Sequence, residues 1–245
     1  MPRSNAHSVF IAGASGVIGI RLCRLLIEDG WSVVGTTRSP DKAAMLEAIG
    51  VEPAIVDVYD SDALLDRMCA AKPRIVVHQL TDLPAALDPA SMAEARPRNA
   101  RIREVGTRNL VAAAKAAGAA RLVAQSIAFA YAPGPLPYHE DAPLNLDDPA
   151  MAVTARGVAS LEAQVLGGPF AGIVLRYGKL YGPGTGFDSP AAGGALHVDA
   201  AADAARRALT HDGPGIYNIA EDDGTISSEK AIRELGWSAA FRIDG

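Results

Sequence analysis

Cysteine is scarce in this chain. Cys23 and Cys69 are the two in 245 residues, and each falls within an apolar helical pattern. Buried free thiols in a reducing compartment fit that usage. A chain of this length buries roughly 70–75% of its unfolded surface on folding, so it needs neither a disulfide nor a metal staple. No cluster of Cys, His and Asp has metal-ligand spacing, and no metal is expected. No apolar run approaches the roughly 18 residues of a membrane span. The opening "MPRSNAHS" lacks the apolar core of a signal peptide, so a cytoplasmic protein without a membrane partner is expected. Excess positive charge is missing as well. The formal charge is −5, which argues against nucleic acid as the partner, because phosphate binding needs a basic surface. Internal repeats and low-complexity tracts are absent.

What is present is an ordinary globular balance, 49% hydrophobic and 21% charged, in one large domain or one domain with a small appendage. Short β-branched runs alternate with Ala/Leu-rich runs at helical spacing. The strands are expected at 8–12, 32–37, 53–57, 74–80, 121–126, 172–177 and 215–220. Helices are expected near 16–29, 41–49, 61–71, 98–117, 150–166 and 199–211, with a short one in the tail. The order implies right-handed βαβ units and an α/β fold with a doubly wound parallel sheet. The strands are continuously apolar rather than alternating, which agrees with burial on both faces. The Pro-rich stretch 131–149 reads as a long loop, of the length that usually serves a site.

"VFIAGASGVIG" places Gly13, Gly16 and Gly19 at the first strand-to-helix turn. Glycine tolerates positive φ and lets the backbone approach a ligand closely. The helix that follows aims free N–H groups and its dipole at a pyrophosphate, so Gly13, Ser15, Gly16, Val17, Ile18 and Gly19 are expected to hold a dinucleotide. The next strand ends "GTTRSP". NAD sites usually carry an acid there for the ribose 2′-hydroxyl. Thr37, Arg38 and Ser39 stand in its place, and an Arg pairs with a 2′-phosphate, so NADP is expected over NAD. Asp57, with Val58 after it, is placed to meet the adenine amino group, or else serves as a turn or N-cap residue.

With these residues in hand, the chain resembles the extended short-chain dehydrogenase/reductases, the NAD-dependent epimerase/dehydratase family. The likeness is carried by "GASGVIG", "VVHQL", "VGTRNLVAAAKAAGAARLVAQSIAFAYAPG", "LRYGKLYGPGTG", "HVDAAADAARRAL", "GIYNIAED" and "KAIRELGW". It implies a Rossmann domain over 1–176 and 197–222, with a reduced substrate-binding region over 177–196 and 223–245. It implies that Gln79 and Leu80 lie under the cofactor and that Tyr177 and Gly178 pass it. It places a catalytic Ser or Thr near Ser126, although counting back from Tyr131 lands on Ile127. Three departures stand out. Aligned on Glu162, the family's Tyr-x-x-x-Lys becomes Thr154 and Val158. The catalytic Ser is off register, and the lid segments are short.

Ser126 and Tyr131 are therefore the candidate catalytic residues. Val158 belongs to an apolar stripe with Met151, Thr154, Leu161 and Val165. His78 reads as a core histidine bonded to backbone, His197 as the turn before a helix capped by Asp199, and the basic run 94–104 as a solvated helix face. The expected function is an NADP(H)-binding oxidoreductase or isomerase acting on a small molecule without the usual dyad. The alternative is a catalytically silent dinucleotide sensor or scaffold. A homodimer is expected through helices 98–117 and 150–166, both long and Ala-rich.

Overall fold

The computed structural model describes residues 7–84 and 89–243. Its centre is a seven-stranded sheet in the order β3-β2-β1-β4-β5-β6-β9. The strands are β1 (Ser8–Ala12), β2 (Ser32–Thr37), β3 (Glu52–Ile55), β4 (Ile75–His78), β5 (Arg121–Ile127), β6 (Ala171–Tyr177) and β9 (Gly215–Ile219). Every pairing is parallel. Phe10 lies opposite Val34 on one side and Val76 on the other. A second, two-stranded parallel sheet joins β7 (Lys179–Tyr181) to β8 (Ala195–His197). Three-residue strands are too short to carry a readable pattern, so neither was expected.

The strands are buried on both sides, and the period of two sorts their residues between two cores. Val9 and Ile11 face α1 (Val17–Glu28), α2 (Pro40–Ala48), α7 (Val198–Ala208) and α8 (Glu229–Leu235). Phe10 and Ala12 face α3 (Ser61–Ala71), α5 (Thr107–Ala116) and α6 (Ala152–Leu166). Burying a side chain such as Phe10 or Leu22 fully is worth about 1.5–3 kcal/mol. The chain winds outward from β1 through β2 and β3, then returns to the other side of β1 as β4. The carboxyl ends of β1 and β4 thus part at a topological switch point, where such sheets open a crevice.

Two expectations need correction. The helix expected over 98–117 is α4 (Pro89–Arg101), a π-helical turn (Ile102–Gly106) and then α5. Side-chain periodicity does not register the wider turn, and Pro97 sits inside α4. The basic run is not wholly a solvated face, because Asn99, Ile102 and Arg103 are buried. The long loop 131–149 is held along its length. Tyr131 bridges Leu144, Tyr138 bridges Ile226, and the rings of Tyr131 and Tyr138 stack at 5.1 Å. Helices α4 and α6 pack closely where a Cβ on Gly157 would stand 3.1 Å from Ala100 Cα.

Candidate active site

A cleft of about 330 Å³ opens at the switch point. Its phosphate loop rests on two close approaches. Gly13 has φ +88°, and a Cβ there would lie 2.8 Å from the Gln79 carbonyl oxygen. A Cβ on Gly19 would collide with the Gly13 carbonyl. Gly16 caps α1 with no side-chain hydrogen bond, and no acid stands in the first turn. The first amides of α1 therefore lack intrachain acceptors at a helix end that favours negative charge. Gly13, Ser15 and Gly16 line the cleft. Val17 is half-buried beside them, Ile18 turns into the core, and Gly19 is packed beneath the loop.

The far end of the cleft is built from β2 and β3. Thr36 Oγ1 accepts from the Gly13 amide at 3.0 Å. Thr37 Oγ1 accepts from Ser15 Oγ and from the Ser39 amide, both at 3.2 Å. These bonds tie the phosphate loop to the tip of β2. Ser39 caps α2 by accepting from the Lys42 amide. Arg38 Nη1 stands 3.8 Å from Asp57 Oδ2, and both side chains are exposed. Asp57 Oδ1 accepts from the Tyr59 amide at 2.9 Å, so it is a turn residue as well as a cleft residue. Arg38, Ser39, Asp57 and Val58 all line the cleft, as does Lys42, which the motif reading passed over because it lies in the helix beyond the tip.

Gln79 and Leu80 form the floor. Gln79 Nε2 donates to the Tyr177 hydroxyl at 3.4 Å, and that hydroxyl donates to the Ala201 carbonyl at 3.1 Å. Gln79 Oε1 is buried with no partner among the described residues. A buried orphan acceptor is costly, and a ligand hydroxyl or amide N–H would satisfy it. That orphan, the uncapped helix end and the glycine contacts fit a dinucleotide. Tyr177 does not line the cleft; it steadies Gln79 from below, and burial raises its pKa. Gly178 is instead the place where β7 crosses close to Gly194.

Ser126 and Tyr131 converge, but on a buried ionic cluster rather than on the cleft lining. Arg176 forms a bidentate pair with Glu162, Nε to Oε1 at 2.8 Å and Nη2 to Oε2 at 2.6 Å. Ser126 Oγ donates to the same Oε1 at 2.8 Å. The Tyr131 hydroxyl accepts from Arg176 Nη1 at 2.9 Å and donates to Asn218 Oδ1 at 2.5 Å. Burial raises the Tyr131 pKa, although Arg176 pulls the other way. Burial alone would weaken the Arg176 cation, but the bonds and charge of Glu162 outweigh it and raise its pKa.

Thr154 is half-buried on α6. Val158 is wholly buried in an apolar cluster with Ile127 and Ala130, against which Leu144 and Met151 pack. His78 is fully buried. Its Nδ1 accepts from the Leu80 amide at 3.2 Å and its Nε2 pairs with Thr107 Oγ1 at 3.0 Å, the core histidine expected. Burial, helped by the nearby Arg103 cation, pushes its pKa down to about 4. His197 corrects an expectation: it is itself the cap of α7, accepting from the Asp199 amide at 3.2 Å, because Asp199 already lies inside the helix. Among the described residues no group of three or more His, Cys, Asp or Glu could hold a metal ion, and no helix is long and apolar enough to cross a membrane.

A parallel sheet with a glycine turn, an uncapped helix end and a cleft at the switch point defines a dinucleotide-binding Rossmann protein. Residues 9–192 match the NAD dependent epimerase/dehydratase family, and the chain belongs to it. A relative from a Streptomyces species, 3-diazoavenalumate denitrifying reductase, is 44% identical, with 88% of this chain and 76% of that protein covered. UDP-glucose 4-epimerase of Thermotoga maritima, solved with UDP-glucose, superposes with a TM-score of 0.74 at 16% identity, covering 94% of this chain and 93% of the other. The Bordetella bronchiseptica enzyme WbmG, solved with NAD, superposes at 0.73 and 19% identity, covering 99% and 92%. These two share the fold.

Proposed function

We propose that the chain is an NADP(H)-dependent reductase that removes a diazo group from a small aromatic molecule as dinitrogen, without a Tyr-x-x-x-Lys dyad. The observation that carries this reading is the apolar cluster around Val158. A hydride transfer to a carbonyl makes an alkoxide, which needs a proton donor beside the nicotinamide. Thr154 has a short, weakly acidic side chain, and Val158 offers neither charge nor donor. The likeness to a denitrifying reductase supports a reaction that makes no such demand. The bound cofactor would supply a hydride: the carbon–nitrogen bond of an arenediazonium breaks, dinitrogen leaves with that bond's electron pair, and the hydride forms the new carbon–hydrogen bond, with no proton consumed.

The chain's own residues then have holding roles. The phosphate loop and the α1 amides hold the pyrophosphate, and Gln79 Oε1 accepts from the ligand above it. Arg38, with Ser39 and Lys42 beside it, holds a 2′-phosphate. Ser126 and Tyr131 act as positioning residues, fixing Glu162 and Arg176 beneath the reactive end rather than moving protons. The described part of the reduced region, 177–196 and 223–243, covers the substrate, and a small substrate suits its length. We read the protein as cytoplasmic and as a homodimer through the stretch 98–117, which ends in α5, and through α6, on which Val153 and Leu166 are exposed.

The test is isotope transfer. NADPH carrying deuterium on one C4 face is incubated with the protein and a hydroxyarenediazonium carboxylate, beside an enzyme-free control. The reading expects deuterium from one face only in the arene, dinitrogen release, and a rate flat with pH and free of a solvent isotope effect. Cofactor binding without transfer from either face would sink it and favour the silent binding protein.

A further inference from the structure

The π turn buries an arginine that no side chain among the described residues pairs with directly. Arg103 is 6% exposed. Its charge acts on Glu162 and on His78, yet it forms no hydrogen bond or ion pair among the described residues. Both carboxylate oxygens of Glu162 are already occupied by Arg176, and Ser126 adds a third bond. Both nitrogens of His78 are also used, and at neutral pH its ring carries no charge. The buried group of Arg103, Arg176 and Glu162 therefore holds one net positive charge. Removing a charge from water without a partner is expensive, and proteins keep such groups where a ligand completes them.

Its place says which ligand. Ile102, the residue before it, lines the dinucleotide cleft. His78 ends β4, whose next two residues are the cleft floor, and Glu162 lies one turn beyond Val158 on α6. Arg103 thus follows a cleft-lining residue on a turn packed against α6, with His78 and Glu162 within reach of its charge, although its own side chain is not among those that line the cleft.

We propose that Arg103 is an oxyanion-binding residue at the inner end of the cleft, taking either a cofactor phosphate or the carboxylate of the substrate. The inference rests on the cleft being the dinucleotide site; only its substrate arm rests on the reductase reading. Guanidinium suits this use, because its flat fork matches phosphate and carboxylate oxygens and its charge does not depend on pH.

The experiment compares the wild type with Arg103→Gln and Arg103→Lys by calorimetry, without turnover. Adenosine 2′,5′-bisphosphate, which spans the outer end only, reports whether the site is folded, and its affinity should be unchanged. NADPH binding weakened ~10- to 100-fold in Arg103→Gln, with partial recovery in Arg103→Lys, assigns the anion to the cofactor. Unchanged NADPH binding, with 4-hydroxybenzoate weakened to the same degree on the NADP-loaded protein and phenol unaffected, assigns it to the substrate. If neither ligand is weakened, the proposal is wrong. Should Arg103→Gln lose the bisphosphate, Arg103→Lys alone decides, because lysine keeps the charge but not the fork and should still lose severalfold. A lysine variant that binds every ligand like the wild type would then overturn the proposal. Melting of the ligand-free protein adds a check: Arg103→Met should melt no lower than the wild type, and a clear fall with intact ligand binding would make Arg103 a structural residue only.

Discussion

Glu162 and Arg176 meet as a two-bond pair inside the protein, one on α6 and one on β6, with both side chains almost wholly shielded from water. Such a pair stabilises little in net terms, but its halves depend on one another. Glu162→Gln should destabilise the fold by about 3–5 kcal/mol, since it strands a second buried cation beside Arg103. Ser126→Ala removes one bond to the carboxylate and should cost about 1–3 kcal/mol while leaving hydride transfer within a few-fold. Denaturant melts with single-turnover rates check both. A Ser126→Ala protein of native stability but with abolished transfer would return Ser126 to catalysis.

Arg38→Ala should weaken NADPH roughly ten- to a hundredfold and leave NADH nearly unchanged, because the lost bond is made only to the 2′-phosphate. Calorimetric titration of both cofactors measures it. Equal losses for the two would mean that Arg38 packs on adenine rather than reading the phosphate.

His78 makes stability depend on pH in a defined window. Its pKa is about 4 in the folded protein against 6.5 for an ordinary histidine. A depressed folded pKa means that the unfolded chain binds the proton first, so this part of the stability is intact above about pH 6.5 and drains away as pH falls toward 4. The full loss is roughly 3 kcal/mol. Unfolding at a series of pH values should show the slope, and His78→Gln should flatten it. Ring proton shifts of His78 should not titrate above pH 5.

Val158→Lys tests whether the helix is relieved of chemistry. The new ammonium would enter the cluster of Ile127, Ala130, Leu144 and Met151. Stability should fall by several kcal/mol, or the lysine should be neutral at pH 7. The double variant Thr154→Tyr with Val158→Lys should gain no alcohol dehydrogenase activity while that cluster remains apolar. Robust turnover of simple alcohols by it would show that the site had kept the rest of the proton-transfer machinery.

The parts of the fold that were legible in the sequence are those that repeat. β1 and β2 lie at the expected residues, and α3 begins and ends where its periodicity does. The outer half of the cleft was legible too, because Gly13, Gly16, Arg38 and Ser39 are near neighbours in a motif whose geometry is local. The inner half was not. Ser126, Tyr131, Glu162, Arg176 and Asn218 come from five separate elements, and no spacing within one segment announces their meeting. Arg103 was hidden differently, within a run of arginines that looked uniformly solvated until the backbone placed one of them inside.

That placement is a matter of residue count. A π turn holds one residue more than the α-helical path it follows, and each residue of an α-helix turns the chain by roughly 100°. Everything after Gly106 is therefore rotated relative to α4, so one continuous stretch shows α6 one side and α3 another. The segment should tolerate many single substitutions but not a change of length. Deleting Glu104, an exposed residue of the turn, would restore a plain helix and swing Arg103 off its bearing. It would also turn Leu110, Ala113 and Ala114 out of the core. At this one place a change of length is expected to cost more than the exchange of an exposed side chain.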